Sequence, residues 1–153
     1  MAFFPFSKRK EFFSHDEQER IVGAIRNAEQ QTSGEIRVYT ESRCRFVDPL
    51  DRAAEIFWGL KMDLTKDRNG VLVYVAMKDH QFAILADQGI HEKVGQAFWN
   101  EEVMVMKKHF SNAHPADAIE AVVNDVGKAL KLHFPYDRTT DKNELPDDMV
   151  FGS

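Results

Sequence analysis

The chain has 153 residues, 43% of them hydrophobic and 29% charged, which fits one soluble globular domain with its own core and excludes a disordered chain. Its formal net charge of -5 weighs against non-specific nucleic-acid binding, so no nucleic-acid partner is expected. With a single cysteine, Cys44, neither an intrachain disulfide nor a cysteine-held metal can form.

The opening "MAFFPFSKRKEFFS" puts its basic cluster after the aromatics and lacks an apolar core of signal-peptide length. No segment approaches the ~18 consecutive apolar residues of a membrane span. The expectation is a cytoplasmic protein without a transmembrane segment. Residues 1–13 read as an N-terminal arm, docked on its own domain or loose. A weak membrane-surface contact through Phe3, Phe4, Phe6, Lys8, Arg9 and Lys10 is the other reading of that arm.

"SHDE" starts the first helix, with Ser14 as cap and Glu17 closing a capping box. Ile21, Val22, Ile25 and Ala28 recur at helical spacing, and Gly34 is read as the positive-φ stop. "EIRVYTE" alternates as a strand, with Ile36, Val38 and Thr40 on one side and Glu35, Arg37, Tyr39 and Glu41 on the other. Asp48 and Pro49 open a second helix, whose stripe is Leu50, Ala53, Ala54, Phe57 and Leu60. "GVLVYVAM" is a strand covered on both faces. "QFAILA" follows too soon for a crossover and must return antiparallel, with the turn centred near Lys78 and Asp79. "GIHEKVG" reads as a glycine-bounded connection or a single helical turn.

A third helix carries Trp99, Val103, Met106 and Phe110. A fourth, opened by Pro115, carries Ile119, Val122, Val123, Val126 and Leu130. Trp58 and Trp99 are expected in the core, since each lies near an apolar stripe. The first two strands and the helix between them form a parallel, right-handed βαβ unit, and the third strand adds antiparallel. The fold class is therefore α/β, a three-layer α/β/α sandwich with a small mixed sheet. The domain spans residues 14–135. Residues 136–153 form an acidic C-terminal tail, pinned by Leu145 and Val150 if it folds back.

The stretches "TSGEIRVYTESRC", "KMDLTKDRNGVLVYVAMKDHQFAILADQGIHEKVG", "HFP" and "NELPDD" together resemble the TPM domain family, also known as the TLP or Psb-type phosphatase-like domain. The likeness runs from about Ser14 to Asp148 and is greatest to short cytoplasmic bacterial members. Its most specific pieces are Arg68-Asn69-Gly70 and Asp87-Gln88-Gly89. The resemblance implies an α/β/α sandwich, divalent-cation binding in some members, and acid phosphatase activity in a thylakoid-lumen relative. Other relatives are membrane-attached and act in photosystem repair or at receptors. No transit peptide or membrane helix is expected in this chain, which weighs against those cellular roles here.

Hairpin geometry places Asp87 opposite Gly70, with Asn69 and Asp67 just beyond and Glu35 of the parallel strand at the same end. Asp67, Asn69, Asp87, Glu35 and Glu92 are thus candidate metal ligands, and oxygen donors without a thiol suit calcium or magnesium. The competing reading makes Asp67 and Asn69 turn formers and Asp87 a cap. Asp147 or Asp148 would add ligands if the tail folds over the domain.

At the other end, Arg43, Arg45 and Lys78 could hold a phosphate at the carboxyl ends of the strands. A nucleophilic Cys44 lacks its partner, because the sixth position after it is Leu50 where cysteine phosphatases place an arginine. No Walker loop, Rossmann glycine fingerprint, HExxH, nucleophile elbow or Asp-x-Asp is present. No histidines pair at i, i+4 as zinc ligands, and His109 and His133 read as helix C-terminal cations. No catalytic residue is assigned. The expected function is a divalent-cation-binding domain acting through an unidentified protein partner. The alternative is a low-activity metal-dependent acid phosphatase, whose cation polarises a phosphoryl oxygen and activates water.

Overall fold

The structure, a computed structural model, describes residues 12–136 and 150–151. The arm residues Phe3, Phe4, Phe6, Lys8, Arg9 and Lys10 and the tail residues Leu145, Asp147 and Asp148 lie outside them. In chain order the elements are α1 (His15–Glu29), β1 (Glu35–Glu41), α2 (Pro49–Gly59), a short 3-10 turn (Met62–Leu64), β2 (Gly70–Ala76), β3 (Gln81–Ala86), α3 (Gln88–Ser111), α4 (Pro115–His133) and β4 (Val150–Phe151).

The sheet order is β3-β2-β1-β4. β1 runs parallel to β2, with Glu35 beside Gly70, and β3 returns antiparallel, with Val71 beside Ala86. The expected βαβ unit and hairpin are therefore both present. The tail reading needs an addition: Val150 and Phe151 pair in parallel with Tyr39 and Thr40 and extend the sheet past β1.

Alternation along β2 decides the layers. Val71, Val73 and Val75 join a core with Ile21 and Ile25 of α1, Trp99 and Met106 of α3, and Ile119, Val122 and Val126 of α4. Leu72, Tyr74 and Ala76 face the other way, against Ala53, Ile56 and Phe57 of α2. Every β2 side chain from Val71 to Ala76 is fully buried, and each large one contributes about 1.5–3 kcal/mol by leaving water. The result is the α/β/α sandwich, with three helices on one face and one on the other.

The capping box forms as the spacing predicts: Glu17 N–H donates to Ser14 Oγ at 3.1 Å and Ser14 N–H to Glu17 Oε1 at 2.8 Å. The end of α1 differs. It stops at Glu29, and Gly34 has no positive φ. Gly34 is there for space: a Cβ would stand 2.7 Å from Leu130 Cδ2 and 3.2 Å from the Asn69 carbonyl. Beside it the Thr32 hydroxyl bonds the Leu130 and Phe134 carbonyls, so the α1–β1 connection closes the end of α4.

Two further expectations are corrected. "GIHEKVG" is neither a loop nor a single turn, because helix runs from Gln88 through to Ser111, broken only at Gly95 with φ 79° and ψ 169°. Asp87 caps this helix, and the seven residues before the glycine make about two turns. Trp58 is 56% exposed, whereas Trp99 is 5% exposed. The face of α2 on the sheet is Ala53, Ile56 and Phe57, and Trp58 lies one helical step past Phe57, touching it edge-on at 5.8 Å between ring centres. Leu50, at the outer start of α2, is also exposed.

Between α3 and α4 the chain turns through Ala113 at φ 60°. A left-handed alanine costs roughly 1–2 kcal/mol, so Ala113→Gly should raise stability by about 1 kcal/mol in urea denaturation. An unchanged or lower midpoint would count against that strain. Among the described residues no helix is long and apolar enough to cross a membrane.

Candidate functional site

At the amino end of β1 and β2 the chain makes a tight, polar approach. The turn before β2 is held by Arg68 N–H to the Thr65 carbonyl at 3.2 Å and by Asn69 N–H to Thr65 Oγ1 at 3.2 Å. Arg68 sits in the left-handed region at φ 51°. Gly89, in the first turn of α3, donates its N–H to the Arg68 carbonyl at 2.8 Å. A Cβ on Gly89 would lie 2.0 Å from the Asp67 carbonyl oxygen, so only glycine permits this contact.

The expected residues take different places at this edge. Asp87 leaves β3 opposite Gly70, its N–H on the Gly70 carbonyl at 2.9 Å, and its carboxylate caps α3 through Gln88 N–H at 2.8 Å. That carboxylate also accepts Arg68 Nε at 2.7 Å and Nη2 at 2.8 Å. The bidentate pair raises the pKa of the Arg68 guanidinium above its ordinary value. Asn69 is 1% exposed; its Nδ2 donates to Ser33 Oγ at 3.2 Å, and its Oδ1 has no hydrogen-bond partner. Asp67 and Glu92 are exposed at the rim.

Glu35 is buried, but by alternation with Ile36 it leaves β1 on the α2 face. Asn69, two residues before Val71, falls on the opposite face, where α3 begins. The fold thus brings Asp67, Asn69 and Asp87 around Arg68 and leaves Glu35 across the sheet. Among the described residues no three His, Cys, Asp or Glu side chains group as a cation site.

The carboxyl ends of β1 and β2 open onto a cleft of about 850 Å³, lined by Tyr39, Glu41, Arg43, Cys44, Arg45 and Arg52 among others. The basic loop is not a free cationic surface. Arg43 Nη1 pairs with Asp79 Oδ1 at 3.2 Å, and the Cys44 N–H donates to Asp79 Oδ2 at 2.7 Å. Deeper in, Glu41 accepts Arg52 Nε and Nη2, each at 2.9 Å, and the Tyr74 hydroxyl. Arg52 also bonds Glu55 and lies 5.7 Å from the Tyr39 ring centre. Burial first, and then the Glu41 bond, push the Tyr74 phenol well above the ordinary tyrosine range. The hydrogen bonds to Glu41 raise Arg52 in turn. Three arginines thus face Glu41, Glu55 and Asp79 in the lining, and their charges balance.

Arg52, Tyr74 and Glu102 were not singled out by their residue type or spacing. Tyr74 carried one signal: a phenol in a strand covered on both faces needs a buried acceptor. Glu102 carried another, since it falls between Trp99 and Met106 on the apolar stripe of α3.

A family model described as the TPM domain matches residues 7–129. The solution structure of the BA42 protein from the psychrophilic bacterium Bizionia argentinensis is 40% identical, covers 95% of this chain and 99% of its own, and superposes with a TM-score of 0.85. The N-terminal domain of the cg2496 protein from Corynebacterium glutamicum is 14% identical over 85% of this chain and 87% of its own, with a TM-score of 0.58, and shares the fold alone. No curated protein matches the chain.

Proposed function

The chain belongs to the TPM domain family, and from that premise we propose that it is a divalent-cation-binding domain that acts through a protein partner. One observation carries the reading: Asn69 is buried, yet its Oδ1 has no hydrogen bond. A buried amide oxygen without a donor is an open acceptor that a cation can occupy. Asp87, the Asp67 and Arg68 carbonyls and the Asn69 amide are oxygen donors suited to calcium or magnesium, with Asp67 and Glu92 at the rim. Glu35, on the other face, is the outlying candidate.

Arg68 already supplies positive charge to Asp87. A divalent ion therefore competes with the guanidinium and binds weakly, with a Kd of roughly 10⁻⁴ to 10⁻³ M. The partner half of the reading is supported by Phe46, Val47, Leu50 and Trp58, which α2 and its leading loop leave exposed.

Titration with calcium and magnesium in turn, followed by backbone amide NMR, tests this. Saturable shifts are expected at residues 67–70 and 88–92, and Asp87→Asn should weaken binding by about ten-fold or more while keeping an acceptor at the cap. Amides that stay still in these two segments would end the proposal. The phosphatase alternative has its own readout, p-nitrophenyl phosphate turnover that depends on the cation and is lost in Asp87→Asn. No such turnover is expected. His91, in the first turns of α3, has its Nδ1 taken by Trp99 Nε1 at 3.1 Å, which leaves it a poor general base for water.

A further inference from the structure

α3 and α4 bury a carboxyl group against another acid. Glu102 is 5% exposed and its Oε1 has no hydrogen-bond partner. Trp99 and Met106, buried on the same stripe, show that this side of α3 faces the core. The group acting on Glu102 from α4 is the Asp125 carboxyl, at hydrogen-bond range. Two carboxylates cannot both be charged in such a place, whereas a carboxylic acid can donate to its neighbour.

We propose that Glu102 and Asp125 share one proton as a clip between α3 and α4, and that loss of this proton releases the second segment of α3 about Gly95. Gly95 is the hinge because its φ of 79° breaks the helix into 88–94 and 96–111, and nothing lies within 4 Å of where its Cβ would be. The first segment stays fixed by the Asp87 cap and by the Gly89 bond to Arg68. The second segment packs on α4, stacks Phe110 on Phe82 of β3, and is tied to the first across Gly95 by Trp99 Nε1–H donating to His91 Nδ1 at 3.1 Å.

The charges around the clip set its direction. α3 adds Glu101, α4 adds Asp125, and β3, "QFAILA", has no titratable side chain. The basic neighbours Lys107 and Lys108 on α3 and Lys128 on α4 are exposed, and Glu120 on α4 is paired with Arg20 of α1. Burial first, and then the Asp125 charge, push Glu102 up from its ordinary 4.5 to about 8. The folded state therefore holds a proton that the unfolded chain has lost. The clip is fully closed below about 4.5 and opens as pH rises through about 8.

The test uses the full chain. The Glu102 side-chain carboxyl is followed by carbon-13 NMR across pH 5–10, and amide exchange of residues 96–111 is measured against β2 as internal reference. The Glu102 carboxyl should titrate near pH 8. Protection of 96–111 relative to β2 should fall by up to about ten-fold per pH unit between about 4.5 and 8 and level off above that midpoint. Glu102→Gln should abolish the midpoint, and Asp125→Asn should move it to lower pH. Titration of Glu102 in the ordinary glutamate range, or flat relative protection through pH 9, overturns the proposal. So does a midpoint that persists in Glu102→Gln. If Glu102→Gln does not fold, the wild-type carboxyl titration and exchange profile still decide.

Discussion

Gly89→Ala is expected to lower stability by about 3 kcal/mol or more, a loss read as a large drop in the urea midpoint. The added Cβ would meet the Asp67 carbonyl oxygen at 2.0 Å, the Arg68 oxygen at 2.6 Å and the Arg68 carbonyl carbon at 3.0 Å. All three are backbone atoms, so no side chain can swing aside. Relief requires moving the 65–69 turn or the start of α3. The turn is held by two bonds to Thr65, and α3 by the Gly89 bond to Arg68 and the Asp87 cap. Any shift therefore breaks hydrogen bonds that hold the end of the sheet together. Gly23 is the control: it lies inside α1 with nothing within 4 Å of its Cβ position. Gly23→Ala should raise stability by about 1 kcal/mol through helix propensity alone. A Gly89→Ala protein within about 1 kcal/mol of wild type would mean that the close approach is not there.

The elements legible in the sequence were those whose local chemistry and tertiary packing agree. Ser14 and Glu17 spell a capping box wherever they sit. "KDH" is too short for anything but a hairpin, so the Gly70–Asp87 pairing followed from counting. Period-two alternation, however, reads polarity and not burial. Glu35, Arg37 and Glu41 make up the polar side of that alternation, yet all three are buried. Trp58 failed for a similar reason, since a position beside an apolar stripe need not lie on it.

Gly95 was legible as a break, but the residues before it are helical too, so it joins two helical pieces. At the amino-end edge, register brought Asp87 to Asn69 and Asp67, and that much could be read. The occupant of Asp87 could not. Arg68 reaches it only because its own φ is 51° and Gly89 lets the two chains touch. Neither condition has a signature in residue order.

The other large effect concerns the cleft. Arg52→Met is expected to cost about 3–5 kcal/mol, because it strands a buried carboxylate. The Glu41 side chain is 8% exposed, and both of its oxygens are bonded to Arg52. Without the guanidinium, Glu41 still accepts from the Tyr74 hydroxyl but loses its counter-charge. Methionine matches much of the arginine stem, so lost packing on Tyr39 contributes little. The diagnostic step is to remove both charges. Arg52→Met with Glu41→Gln should recover most of the loss, because the amide is neutral and its oxygen can still accept from Tyr74. A double-mutant cycle by urea denaturation should then give a coupling of about 2 kcal/mol or more. Arg43→Ala provides the contrast. Its pair with Asp79 lies at 68% and 23% side-chain exposure, and its removal should change stability by less than about 1 kcal/mol. Equal, small effects at Arg52 and Arg43 would show that Glu41 is well solvated, and that the floor of the cleft is not the closed network of Arg52, Glu41 and Tyr74.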